Sequence, residues 1–256
     1  MTTQPTTAVS ASKVSWAPSP GLLVSARSLA ESRLVISAGA KWLDLKEPSL
    51  GSLGRPSLEL VFSILELDIA ESMQISVAGG ELKDWSEELD HLLSSKLPAR
   101  AYLKLALADC DGTDWQIVAE RISRSFVRRS QLILVHYADF RQSKSPSWFD
   151  VIETTKALGG RFILIDTHNK KMGGLFDHYS TRQLNEMISE ANQRKLGVAL
   201  AGSLTIDQLA MLSRSRAGWL GVRSAICTDA DRTSGICPDR LRLALELFDA
   251  IPFYRS

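Results

Sequence analysis

The sequence predicts a single (β/α)8 barrel, a TIM barrel, over residues 21–256, and three observations carry that expectation. Eight short apolar, partly β-branched runs alternate with eight longer segments of helical period. The runs are nearly continuous in hydrophobicity, as parallel strands covered on both faces by helices are. A length of 256 residues suits one closed barrel, and the first run lacks the Gly-x-Gly-x-x-Gly of a dinucleotide-binding sheet.

The elements follow in order. GLLVSA (Gly21–Ala26) reads as the first strand, and the helix Leu29–Ser37 stops near Gly39, a residue that readily ends helices. WLDLK (Trp42–Lys46) is the second strand, with Pro56 opening the helix LELVFSILEL. QISVA (Gln74–Ala78) and a helix around Trp85–Ser94 form the third unit. AYLKLAL (Ala101–Leu107) with Trp115–Phe126, and LILVHY (Leu132–Tyr137) with Trp148–Leu158, form the next two. FILID (Phe162–Asp166) precedes Thr181–Arg194, and GVALA (Gly197–Ala201) precedes Ile206–Ser213. GWLGVR (Gly218–Arg223) and Pro238–Ala250 close the series. Residues 1–20 are rich in Thr, Ser, Ala and Pro, lack the charged and apolar regions of a secretory signal, and read as a flexible leader.

Composition narrows the function. With 45% hydrophobic residues the chain can bury one large core. Lys+Arg 30 against Asp+Glu 29 leaves a net charge of +1 with no basic stripe or acidic tail, so neither a nucleic acid nor a membrane is an expected partner. No apolar run is long enough to cross a bilayer. Cys110, Cys227 and Cys237 form no CxxC pair, which argues against a disulfide framework or a zinc site and fits a reducing cytoplasm. The six tryptophans fall mostly on helices and read as packing residues. The sequence leaves oligomeric state open, and a homo-oligomer is compatible with it.

In such barrels the site lies where the strands end, so the polar residues there matter most. Asp44 and Lys46 are two apart and share a face. A lysine in an apolar strand either pairs with a carboxylate, here Asp44 or Asp166, or loses its proton and becomes a nucleophile for carbonyls. Lys104 on the fourth strand and Lys170 after the sixth join it, and clustered cations lower one another's pKa. LAGSL and GVRSA close strands seven and eight, where barrels often bind phosphate. Gly202 lets an anion approach the backbone, Ser203 and Ser224 offer hydroxyls, Arg223 adds a guanidinium, and Ser25 ends the first strand nearby. The plainer reading of these turns is a strand-to-helix connection with Ser203 near an N-cap. GSLG (Gly51–Gly54) either cradles an anion or shapes a loop. His136, His168 and Lys104 suggest a metal-dependent hydrolase, but the first strand ends Val24-Ser25-Ala26, without the paired histidines that such a site needs.

At these residues the sequence resembles the (5-formylfuran-3-yl)methyl phosphate synthase family of methanofuran biosynthesis. The resemblance rests on the Asp-x-Lys-x-Pro-x-x-Gly-Ser-Leu-Gly run from Asp44 to Gly54, on YLKLAL, YADF and LIDTHNKKMGGLFDHYS, and on Ala-Gly-Ser-Leu followed by Gly-Val-Arg-x-Ala-x-Cys. The segments SVAGGELKDW and Arg141–Phe149 depart from the family's pattern. The resemblance implies a lyase that joins two molecules of glyceraldehyde 3-phosphate with loss of phosphate and water, needing neither cofactor nor metal. It implies that Lys46 forms the Schiff base and Lys104 accepts the proton, with Asp166 and Lys170 beside them. Another class I aldolase, a sugar-phosphate isomerase and a non-catalytic phospholigand-binding barrel are the competing expectations.

Overall fold

The computed structural model describes residues 20–67, 69, 72–212 and 217–249. The strands are β1 (Gly21–Ala26), β2 (Trp42–Leu45), β3 (Gln74–Glu81), β4 (Ala101–Ala106), β5 (Leu132–Tyr137), β6 (Phe162–Asp166), β7 (Gly197–Leu200) and β8 (Trp219–Val222). They pair in parallel in sequence order, and β8 pairs back onto β1 to close a barrel. Around it run the helices α1 (Leu29–Ser37), α2 (Leu58–Leu65), α3 (Glu87–Lys96), α4 (Trp115–Ser125), α5 (Trp148–Ala157), α6 (Leu175–His178), α7 (Thr181–Gln193), α8 (Ile206–Leu212) and α9 (Pro238–Asp249). Expected positions 213 and 250 of two of these helices, and the leader apart from Pro20, lie outside the described residues. No described helix is long and apolar enough to cross a membrane.

Serine starts many of these helices. Ser28, Ser57, Ser86, Ser147 and Ser180 are N-caps whose hydroxyls accept a backbone N–H from the first turn, satisfying donors that the helix itself cannot. Ser57 therefore sets the start of α2 at Leu58, where the run LELVFSILEL begins. The third strand also differs from expectation. It runs through Gly79 and Gly80 to Glu81, with an irregular register against β4 between Ala78 and Glu81. Glycine's low strand propensity hides that extension from a sequence reading.

Alternation along each strand divides the core in two. Val24, Leu43, Ile75, Leu103, Leu134 and Val198 point outward into one apolar layer beneath the helices. Leu23, Val135, Leu164 and Ala199 face the barrel interior. At its lower end Trp42, Tyr102, Phe162 and Trp219, one from each even-numbered strand, form an aromatic floor. Their centroids lie 5.4 Å apart for Trp42–Tyr102, 5.5 Å for Tyr102–Phe162, 4.8 Å for Phe162–Trp219 and 6.2 Å for Trp42–Trp219. Layers drawn from alternate strands are the usual filling of such barrels. Trp42 and Trp219, on strands as the sequence predicts, are packing residues of the barrel interior.

Candidate active site

Two residues above the floor, two of these strands turn polar. Trp42 gives way to Asp44 on β2, and Tyr102 to Lys104 on β4. The two meet across the interior as an ion pair, both nearly without exposure. Ser76 of β3 donates to Asp44 Oδ1 at 2.6 Å and Ser25 of β1 to Oδ2 at 2.9 Å. Burial pushes the Asp44 carboxyl up, but Lys104, Lys46 and the Ser76 hydrogen bond outweigh it and hold the group below its ordinary value.

Asp166, at the end of β6, has its own cation. Lys170 Nζ donates to Oδ1 at 2.5 Å and to Thr167 Oγ1 at 2.8 Å, and Thr167 N donates to the same carboxylate oxygen at 2.7 Å. Ser52 of the GSLG loop reaches across to Asp166 Oδ2 at 3.2 Å. Here too burial raises the carboxyl and the lysines overcome it, leaving its pKa lowered. Lys170 is itself shifted down, first by burial, against the upward pull of Asp166.

Lys46 follows β2 and is the exception among the three lysines. Among the described residues its amine makes neither a hydrogen bond nor an ion pair, and burial lowers its pKa to about 8. Asp166 and Asp44 pull that value up, while Lys104 and Lys170 push it further down. Of the two alternatives that the sequence left open, a direct pairing of Lys46 with Asp44 or Asp166 is not found among the described residues, because Lys104 and Lys170 already hold the two carboxylates.

A narrow crevice of about 30 Å³ brings Lys46 together with Gly202, Ser203, Arg223 and Ser224. Gly202 adopts φ +109°, a left-handed conformation that other residues resist. The N-cap role belongs to Thr205 rather than Ser203, since Thr205 Oγ1 accepts from Gln208 N at 3.3 Å. Two expected phosphate contacts are engaged differently. Ser25 lies off the crevice lining and donates its hydroxyl to Asp44. Arg223 borders the crevice, yet all five of its N–H groups are taken. They go to Glu31 at 2.6 and 3.1 Å and to the carbonyls of Ser25, Arg232 and Ser234 at 3.1, 2.8 and 2.7 Å. Its guanidinium braces loops and has no donor left for a phosphate.

A wider cavity of about 550 Å³ opens beside the crevice, walled by the GSLG loop, Gly79–Glu81, His168, Lys170 and Arg232. Sequence reasoning missed Glu81, which accepts from Tyr137 Oη at 2.7 Å and from Ala108 N at 2.8 Å. Tyr137 is buried, and burial followed by the Glu81 charge keeps its phenol protonated well above the ordinary range. Extending the third strand to its true end would have exposed Glu81 as a strand-end residue. Asp139 shapes the same rim by accepting from the backbone N–H groups of His168 and Asn169 at 2.7 and 2.8 Å. His136 turns away from it, packing outside the barrel on Phe140, Trp148 and Tyr179. The ligand set of His136, His168 and Lys104 therefore does not assemble.

Known proteins resemble this chain over most of its length. The (5-formylfuran-3-yl)methyl phosphate synthase of Archaeoglobus fulgidus is 27% identical over 236 residues, spanning 90% of this chain and 98% of the relative. That of Methanopyrus kandleri is 27% identical over 237 residues, spanning 91% and 99%. Among solved structures, phosphoribosyl anthranilate isomerase from Thermus thermophilus superposes with TM-score 0.60 at 17% identity, over 90% of this chain and 98% of that one. KGPDC from Streptococcus mutans in complex with D-R5P gives TM-score 0.61 at 13% identity, over 91% and 99%. At such identities these two show the fold. A family model described as 4-HFC-P synthase matches residues 22–244, and the chain belongs to that family of enzymes.

Proposed function

We propose that the protein condenses two molecules of glyceraldehyde 3-phosphate into (5-formylfuran-3-yl)methyl phosphate through an imine on Lys46. The observation that carries this reading is the division of labour among the three lysines. Lys104 and Lys170 are each tied to an aspartate, while Lys46 has no carboxylate partner among the described residues and a pKa lowered to about 8. Roughly a tenth of such an amine is neutral at pH 7, some hundreds of times the neutral fraction of an ordinary lysine. The relatives' name supplies the product.

The neutral amine attacks one aldehyde and water leaves, giving an imine. Loss of the proton next to the imine carbon sends its electron pair toward nitrogen and forms an enamine. The enamine expels phosphate from C3, leaving an enol whose C3 is nucleophilic and attacks the carbonyl of the second triose phosphate, isomerised from aldehyde to ketone, and that oxygen takes up a proton. Ring closure and loss of two waters follow, and hydrolysis of the imine returns Lys46. Two trioses lose one phosphate and two waters in total, so no oxidant or reductant is required. The Lys104–Asp44 and Lys170–Asp166 pairs flank Lys46; Lys104 accepts the carbon-bound proton once its own has moved to Asp44, and Lys170 holds one at Nζ for the departing oxygen. Gly202, Ser203 and Ser224 receive a phosphate in the crevice.

Mass spectrometry of the products from glyceraldehyde 3-phosphate tests the reading. A furan aldehyde phosphate with release of one equivalent of phosphate is expected. Conversion to an isomer or a simple aldol would replace this function with another.

A further inference from the structure

One cation at the mouth is Arg232, which lies not at a strand end but in a loop, nine positions beyond Arg223. That loop is firmly built. Arg223 donates to the Arg232 and Ser234 carbonyls, Arg27 Nη1 donates to the Thr233 carbonyl at 2.5 Å, and Asp231 accepts from Thr233 N at 2.9 Å. Cys227 and Ile236 pair as an antiparallel bridge at its base. The side chain of Arg232 is thereby held between both cavities and lines each of them.

Its guanidinium contrasts with that of Arg223. Among the described residues Arg232 makes one side-chain hydrogen bond, from Nη2 to the Gly51 carbonyl at 2.7 Å, and pairs with no carboxylate. Burial disfavours its charge, and Arg223 adds to that effect while Asp166 at a distance opposes it. A guanidinium nevertheless stays protonated at neutral pH, so a half-buried one without a counter-ion gains most from an incoming anion. Its planar fork suits two phosphate oxygens at once.

The sizes of the two spaces then distribute the reactants. About 30 Å³ beside Lys46 has room for a group no larger than a few waters, whereas about 550 Å³ accommodates a whole small molecule. Lys171 and Arg55 lie on the lining of the wide cavity with Arg232. We propose that Arg232 anchors a second phosphate subsite, in the wide cavity, which holds the phosphate of the second triose phosphate while the first is bound at Lys46. This rests on the two-triose reading above. The subsite would make a phosphorylated triose, rather than any carbonyl compound, the partner of the nucleophile held on Lys46.

Titration calorimetry of the full chain with inorganic phosphate tests the subsite without turnover. Wild-type protein is expected to bind two phosphates, and Arg232→Gln to lose one of them or to bind it about tenfold or more weakly. Arg232→Lys keeps the charge but loses the fork, and is expected to fall between the two. In turnover, Arg232→Gln is expected to raise KM for glyceraldehyde 3-phosphate far more than it lowers kcat. Equal phosphate binding by all three proteins, or a single phosphate on wild type, would overturn the proposal, and melting temperatures show whether each variant is folded. Failure of the furan synthase reading is seen separately, as wild type that binds two phosphates but forms no furan.

Discussion

Lys104 and Asp44 close on each other across the barrel interior, and that pairing leaves Lys46, two residues beyond Asp44, with an uncommitted amine. Much of the chemistry proposed here depends on which lysine took which aspartate.

Borohydride trapping reads that choice directly. With glyceraldehyde 3-phosphate present, one reduced adduct is expected on the peptide containing Lys46 and none in Lys46→Arg, because a guanidinium is never a free amine. Lys104→Arg is expected to trap normally yet turn over about 100-fold or more slowly, as for a proton-transfer group. An adduct mapped to Lys104 or Lys170 reassigns the roles.

The rate of trapping is also expected to rise with pH and level off above about 8, the value to which burial lowers Lys46. The sign follows from the amine, which is reactive only after losing its proton. Lys170 helps depress that value, so Lys170→Met is expected to move the rising limb to higher pH. A limb that stays put, or moves to lower pH, assigns the titration to another group.

Arg223 is expected to matter for stability. Its pair with Glu31 is buried, so Arg223→Met should cost about 3–5 kcal/mol in urea unfolding. A variant as stable as wild type that binds phosphate poorly would return Arg223 to the role expected from sequence.

The aromatic floor needs room at its margins. A Cβ on Gly197 would sit 2.6 Å from Trp219 Cζ3 and 3.1 Å from Phe162 Cδ1, and one on Gly21 would sit 2.4 Å from Trp42 Cδ1. Gly197→Ala is expected to destabilise by about 1–3 kcal/mol through overpacking. The pH profile of trapping should not change, because the floor does not touch Lys46. Unfolding at wild-type urea concentrations would mean that the floor adapts.

Much of the barrel was legible in the sequence because buried strands and amphipathic helices differ in period, and Asp44, Lys104 and Asp166 stood out as charges inside apolar runs. Partner choice was not legible. Lys104 and Asp44 lie on strands that are not neighbours, so their meeting depends on barrel closure and stagger rather than on spacing along the chain. Arg223 looked like an anion ligand for the same reason, since the Glu31 that occupies it lies 192 residues away. Glu81 was hidden by the two glycines before it, and Arg232 by its position in a loop whose shape is set by bonds to remote carbonyls.

The floor also has an electrical consequence. Its four rings polarise weakly and cannot solvate the charged tier from beneath, so the field of that tier emerges through the mouth. Within the tier Asp44 is matched by Lys104 and Asp166 by Lys170, so the protonated fraction of Lys46 adds a positive charge that neither pair cancels. An incoming phosphate dianion is drawn most strongly when Lys46 is charged, whereas imine formation requires it neutral. Capture and chemistry therefore pull one proton in opposite directions.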